Sequence, residues 1–215
     1  MQTTVIFGVV VAAGEARRMG GASKPLSSLG GRSLIEHVVA RVAPQVDRLA
    51  LNLRPGDRAA ANAMFGPAHP LLDDLYDSGQ GPLGGVLAGL DWLAAEGAAH
   101  WLATFPGDTP FLPGDIVAQL AAARTAAPPT PVVAHDGRRL QPLCSLWPLD
   151  CREPLRRGIE EGAFRSLYHT LDALGAATCR LSAPADAFFN INTADDLLRA
   201  EQIMQAGGPH PHDLR

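Results

Sequence analysis

The chain has 215 residues, of which 47% are hydrophobic and 19% are charged, and its formal net charge is −4. A chain of this length and composition can bury one sizeable core, so we expect a single domain over residues 1–205 and a disordered tail over 206–215. The acidic balance disfavours a nucleic-acid or anionic-membrane surface, because both require a dominant basic face. We therefore expect a small-molecule partner, with no nucleic acid and no membrane.

The cysteines and the apolar N-terminal segment bear on the compartment. Cys144, Cys151 and Cys179 are odd in number and lack the spacing of metal ligands. This pattern predicts buried thiols in a reducing compartment rather than disulfides. Residues 5–13 are apolar but too short to span a bilayer, and no basic region precedes them. A cytoplasmic protein is expected.

The first half of the chain alternates strand and helix patterns. A β-branched run over residues 4–11 predicts a strand that is buried on both faces of a parallel sheet. Ser33 and Glu36 form a capping box that begins a helix, which Pro44 ends. Further patterns predict strands at 46–53, 70–73 and 100–105, and helices at 57–65, at 83–95 and after Pro113. This alternation predicts an α/β fold with a doubly wound, mainly parallel sheet.

The second half interrupts this alternation with a small insertion. Residues 131–135, the Asp136–Gly137 turn and residues 139–147 have the pattern of a β-hairpin. Helices are then predicted near 149–157 and 163–174, and a strand at 176–181. Thr193 caps a final helix that runs to about Gln205.

The loop after the first strand combines glycines with cationic side chains. These residues are Gly14, Gly20, Gly21, Arg17, Arg18 and Lys24. Glycines let backbone N–H groups approach an anion, and the cations neutralise its charge, so the loop is suited to a polyphosphate. It matches neither a P-loop nor the dinucleotide fingerprint, because Ala16 stands where the latter needs its second glycine. A flexible connection with solvated basic residues is the alternative.

Other polar residues follow later strands. Asp74 precedes GQGPLGG, Asp108 lies in FPGDTPF, and Asn190 and Asn192 lie in FFNINT. Parallel α/β sheets bind ligands beyond the carboxyl ends of their strands. A carboxylate opposite a phosphate-binding loop is suited to Mg²⁺, so Asp108 is the candidate metal ligand.

Each of these residues also has a structural alternative. Asp108 could form an Asx turn, Asp74 could be a surface turn residue, and Asn192 could satisfy a neighbouring backbone group. No Ser/His/Asp or Cys/His set falls at these strand ends. Covalent nucleophilic catalysis is therefore not expected.

Five segments resemble, in order and over nearly the whole chain, the molybdenum cofactor guanylyltransferase family. They are VVVAAGEARRMGGASKPLSSLGGRSLIEHV, GPLGGVLAGL, FPGDTPFLP, QPLCSLWP and FFNINTADDL. The resemblance implies a Rossmann-like nucleotidyltransferase fold and transfer of GMP from Mg–GTP to the terminal phosphate of molybdenum-bound molybdopterin. The products are the guanine dinucleotide cofactor and pyrophosphate. It implies Mg²⁺ as cofactor and a transient contact with the molybdoenzymes that receive the product.

The resemblance also assigns roles by position. The nucleotide-binding residues it implies are Val11, Ala12, Ala13, Gly14, Lys24, Asn52, Asp74 and Asp108. Arg18, Lys24 and Asp108 are the implied catalytic residues: the two cations would hold the β- and γ-phosphates, and Asp108 would ligate Mg²⁺. Asn190 and Asn192 would lie on the acceptor side, near the metal and the pterin phosphate. The QPLCSLWP segment and the flanking insertion would help to form the acceptor site.

Two positions depart from the family pattern. Ala13 stands where the family usually has glycine, and Ser23 stands where it usually has aspartate before the lysine. The first departure resembles molybdopterin cytidylyltransferases, so use of CTP is an alternative, although GPLGG and the Asn-Ile-Asn-Thr segment favour the guanine branch. A non-catalytic nucleotide or cofactor-binding adaptor is an alternative of another class. From the family pattern, Ser23→Asp is expected to be tolerated.

Overall fold

The computed structural model describes residues 4–13, 23–73, 81–97, 100–124 and 129–206. Several sequence predictions fall outside these ranges. They concern Gly14 and Arg18 of the proposed phosphate loop, Asp74 of the proposed nucleotide pocket, and the proposed tail from residue 207 onward.

A central seven-stranded sheet organises the described part of the chain. Its strands are β1 (Ile6–Val11), β4 (Arg48–Asn52), β5 (Leu71–Leu72), β6 (Trp101–Pro106), β7 (Val132–His135), β8 (Leu140–Pro148) and β9 (Ala177–Arg180). Their order across the sheet is β5-β4-β1-β6-β8-β7-β9. β8 runs antiparallel to β6 and β7, and the other neighbouring pairs are parallel. β2 (Ser28–Leu29) and β3 (Arg32–Ser33) form a separate short hairpin.

Helices cover both faces of the sheet. They are α1 (Leu34–Val42), α2 (Arg58–Phe65), α3 (Leu83–Glu96), α4 (Ile116–Ala122), α5 (Arg152–Glu160), α6 (Leu167–Ala173) and α7 (Ala194–Gln205). Alternate residues of β1 point to opposite faces, as the two-residue period of a strand requires. Val10 packs with α1 and α4 on one face, whereas Val9 packs with α3, α5 and α6 on the other. This two-sided burial explains the continuous apolar sequence of β1.

The predicted α/β architecture is confirmed, with three differences in detail. The predicted hairpin is present, but β8 inserts between β6 and β7 and is therefore part of the main sheet rather than an addition to it. The β2–β3 hairpin was not predicted. The helix expected after Pro113 begins at Ile116, because residues 113–115 form a turn closed by the Ile116 N–H and the Pro113 carbonyl.

The predicted burial of the cysteines is also confirmed: Cys144, Cys151 and Cys179 are buried free thiols. Burial raises the pKa of the Cys151 thiol to about 12 and raises the pKa of Cys144 as well. Thiols held in the neutral form are poor nucleophiles, so Cys144 and Cys151 are not suited to covalent catalysis. Across the described ranges, no helix is long and apolar enough to cross a bilayer.

Candidate active site

A cleft of about 260 Å³ opens at the carboxyl ends of β1 and β6. The described residues that line it are Val11, Ala12, Ala13, Lys24, Pro25, Gly81, Pro82, Pro106, Gly107, Asp108 and Leu143. The strand ends are joined by hydrogen bonds from the Ala12 N–H to the Asn52 carbonyl, 2.9 Å, and from the Gly107 N–H to the Val11 carbonyl, 3.2 Å. A Cβ at Gly107 would lie 2.5 Å from the Cβ of Ala12, so only glycine allows this close approach.

Lys24 brings three distant parts of the chain together in this cleft. Its ammonium group pairs with Asp108 and donates to Oδ1 of Asn192 at 2.7 Å and to Oδ1 of Asn190 at 3.4 Å. The side chains of Lys24 and Asp108 are only 15% and 22% exposed. Lys24 is also the only lysine in the sequence, beside 17 arginines. The structure therefore clusters four of the residues that the sequence placed at the site.

Local structure fixes both sides of this cluster. On one side, Lys24 begins a single 3₁₀ turn, Lys24–Leu26, in which Pro25 is buried. On the other side, the Asp108 carbonyl accepts the Ile191 N–H at 3.0 Å, which attaches the asparagine segment to the end of β6. Asp108 and the two asparagines are thereby held close together although they lie more than 80 residues apart in sequence.

The asparagine segment leads directly into α7. Thr193 caps this helix in a capping box with Asp196, as predicted. The Asn192 N–H donates to the Asp196 carboxylate at 2.9 Å and is the largest cause that lowers the pKa of Asp196 below its usual value. The Asn192 side chain is free of this local role and accepts from Lys24 instead. The segment thus uses its backbone for folding and its side chain for the site.

The donor set in the cleft suits a magnesium ion. Asp108 supplies a carboxylate, and Asn190 and Asn192 supply amide oxygens, all of which are hard ligands that Mg²⁺ accepts. Within the described residues, no group of three or more His, Cys, Asp or Glu side chains could hold a metal by itself. Such a site suits Mg²⁺ that is bound through one carboxylate, water and substrate phosphates.

Asn52 does not line the cleft. Asn52 is fully buried, and its Nδ2 donates to the Leu72 carbonyl at 3.5 Å. Its Oδ1 accepts no hydrogen bond from the described residues. A Cβ at Gly85 would lie 2.4 Å from this oxygen, so the first turn of α3 packs directly on Asn52. Gly85, the last glycine of GPLGG, therefore permits this close packing of the helix. A direct contact between Asn52 and the nucleotide stays a prediction.

Leu143, in the QPLCSLWP segment that was predicted at the acceptor site, lines the cleft together with Pro25, Pro82 and Pro106. The structure also adds contacts that sequence reasoning missed. The Ser23 hydroxyl donates to the Asp57 carboxylate at 2.6 Å, and Arg54 Nε donates to the Ala13 carbonyl at 3.1 Å. The tolerance expected for Ser23→Asp stays a prediction, and this contact weighs against it, because a second carboxylate at residue 23 would face Asp57.

The fold and the cleft are consistent with a nucleotidyltransferase, and comparison with known proteins shows that class. A family model described as the MobA-like NTP transferase domain matches residues 8–174. The molybdenum cofactor guanylyltransferase of Rhodopseudomonas palustris strain BisB5 is 43% identical over 197 residues, which cover 91% of this chain and 92% of the relative. The enzyme of the same name from Bradyrhizobium sp. strain ORS 278 is 40% identical over 203 residues, 94% of each chain. The chain belongs to the molybdenum cofactor guanylyltransferase family.

Solved structures confirm the fold. Molybdopterin-guanine dinucleotide biosynthesis protein A from Archaeoglobus fulgidus superposes with a TM-score of 0.72 at 23% identity, covering 94% of this chain and 100% of that one. The 4-diphosphocytidyl-2C-methyl-D-erythritol synthase from Anaerococcus prevotii superposes with a TM-score of 0.70 at 13% identity, covering 94% and 96%. The architecture is thus shared by proteins with different names, so the fold alone does not show which nucleotide base the substrate carries.

Proposed function

We propose that this chain transfers GMP from Mg–GTP to the terminal phosphate of molybdenum-bound molybdopterin and releases pyrophosphate. The observation that carries the proposal is the cluster of Lys24, Asp108, Asn190 and Asn192 in a cleft at the carboxyl edge of the sheet. Family membership supports the same reaction.

In this proposal the nucleoside lies in the cleft, over the ends of β1 and β6. The sheet already uses the Ala12 N–H and the Val11 carbonyl, so the base is recognised by the next backbone groups, the Ala12 carbonyl and the Ala13 N–H. The Arg54 guanidinium donates to the Ala13 carbonyl and thereby holds the backbone of Ala13 in place. Backbone groups that the wrong base would leave unpaired give large selectivity.

The phosphates lie along Lys24, which exchanges its partners when the substrate binds. In the structure the ammonium neutralises Asp108, whereas with Mg–GTP bound it contacts the β- and γ-phosphates. Asp108 would then hold Mg²⁺, with Asn190 and Asn192 beside it. Bound Mg²⁺ supplies charge neutralisation and orientation of the phosphates. Gly14, Arg18 and Asp74 are proposed to complete the nucleotide site.

The chemical step needs no nucleophile from the protein. An oxygen of the acceptor phosphate attacks the α-phosphorus, and the bond from this phosphorus to the bridging oxygen of pyrophosphate breaks. The side chains contribute positioning and stabilisation of the developing charge. Asn190 and Asn192 lie on the acceptor side of Lys24. The product would pass to a molybdoenzyme during a transient contact between the two proteins.

Pyrophosphate release distinguishes an enzyme from a non-catalytic adaptor. The expected result is release that requires GTP, Mg²⁺ and molybdenum-bound molybdopterin together, with one pyrophosphate for each dinucleotide formed. Binding of both substrates without pyrophosphate release would favour the adaptor. Omission of each component in turn provides the controls.

A further inference from the structure

The hydrogen bond between Ser23 and Asp57 joins two segments at the carboxyl edge of the sheet. The Ser23 hydroxyl donates to Oδ2 of Asp57 at 2.6 Å, and the Asp57 residue is only 8% exposed. Asp57 stands at the N-cap position of α2, yet its side chain accepts no hydrogen bond from that helix. Aspartate at an N-cap ordinarily caps the first turn. Here its carboxylate is directed to Ser23.

The Ser23–Asp57 hydrogen bond lies one residue away from Lys24, which lines the cleft. Ser23 immediately precedes Lys24, and the Ser23 carbonyl accepts the Leu26 N–H at 3.0 Å. The backbone of Lys24 is therefore held by Asp57 on one side and by the buried Pro25 on the other. A cation whose backbone is fixed loses less conformational freedom when it engages a ligand.

We propose that Asp57 is a positioning residue, which acts through Ser23 to hold Lys24 where it meets the triphosphate. The inference rests on the proposed function, because it assigns that role to Lys24. It also gives the serine at residue 23 a role: a serine hydroxyl can donate to Asp57, whereas an aspartate would place two carboxylates within about 3 Å of each other in a largely enclosed position. Two carboxylates that share such a site cannot both stay ionised without cost.

The proposal predicts a specific rescue. Ser23→Asp should weaken GTP binding at least about tenfold, because a partly buried charge-assisted hydrogen bond is replaced by repulsion. Asp57→Asn alone should weaken GTP binding less than Ser23→Asp does, because the amide oxygen still accepts the hydroxyl although the bond loses its charge assistance. In the double variant Ser23→Asp/Asp57→Asn, the introduced amide donates to the introduced carboxylate, and GTP affinity should recover. Ser28→Asp adds the same charge at an exposed position nearby and should bind GTP as the wild type does.

Titration calorimetry with GTP and GMP measures these affinities, and thermal unfolding monitors the fold. The GMP affinity should change less than about twofold in every variant, since GMP lacks the phosphates that Lys24 contacts. Lysine-specific ¹³C labelling gives one labelled residue, because Lys24 is the only lysine. Its Cε signal should shift in Ser23→Asp and return in the double variant. If Ser23→Asp fails to fold, Ser23→Ala removes the hydrogen bond without repulsion and should weaken GTP binding several-fold.

The possible results separate this inference from the proposed function. Absence of nucleoside triphosphate binding by the wild type would overturn both. Wild-type GTP affinity in both Ser23→Asp and Ser23→Ala, or no recovery in a folded double variant, would overturn the role of Asp57 alone. An equal loss of GTP and GMP affinity would show that the pair stabilises the fold and does not position Lys24.

Discussion

We expect replacement of Asp108 by asparagine to lower the rate of nucleotidyl transfer about a hundredfold while the fold is retained. The amide keeps the shape of the side chain but removes the charge that we propose anchors Mg²⁺ over the phosphates. The Asp108 carbonyl, which accepts the Ile191 N–H at 3.0 Å, is unaffected, so the asparagine segment stays in place. Steady-state transfer rates over a range of Mg²⁺ concentrations measure the effect.

Asp115→Asn is the matched control for this variant. Asp115 is exposed and accepts a hydrogen bond from Gln119 on α4, away from the Lys24 cluster. The control should keep wild-type rates at all Mg²⁺ concentrations. A near-wild-type rate for Asp108→Asn at limiting Mg²⁺ would remove Asp108 from the metal site.

Lys24→Ala should lower GTP affinity by about tenfold to a hundredfold and leave GMP affinity nearly unchanged. The ammonium is a partly buried charge with three acceptors around it, and charge-assisted hydrogen bonds to phosphate are among the stronger polar contacts. GMP carries no β- or γ-phosphate for it to meet. Calorimetric titration with each nucleotide gives both affinities.

Two further variants sharpen this comparison. Lys24→Arg keeps the charge but replaces a compact ammonium by a planar fork, so we expect an intermediate GTP affinity. Arg32→Ala removes an exposed cation from β3 and should change neither affinity. Equal losses of GTP and GMP affinity in Lys24→Ala would contradict the placement of this residue at the β/γ end.

Elements with strong local signals were predictable from sequence. The buried β1 follows from its continuous β-branched run, and the starts of α1 and α7 follow from the capping boxes at Ser33 and Thr193, which the structure contains. The hairpin of β7 and β8 follows from its Asp-Gly turn. These features depend on residues that are close together in sequence, so sequence patterns predict them.

Features that depend on long-range pairing were not predictable in this way. The turn chemistry predicts that β7 pairs with β8, but it does not show that β8 also pairs with β6 inside the main sheet. The packing of Asn52 beneath α3 depends on Gly85, 33 residues further along the chain, and the predicted contact of Asn52 with the nucleotide stays a prediction. The bond from Ser23 to Asp57 joins residues 34 positions apart, and neither residue carries a motif for it.

The choice of base tests the central claim most directly. Ala13 lines the cleft, and the resemblance implies that its methyl group replaces a glycine hydrogen. Overpacking of this kind costs about 1–3 kcal/mol if the backbone cannot shift. Incubation with molybdenum-bound molybdopterin, Mg²⁺ and equal concentrations of GTP and CTP, followed by mass analysis of the dinucleotide, measures the preference. Our account predicts the guanine dinucleotide as the main product, and predominance of the cytosine dinucleotide would contradict it.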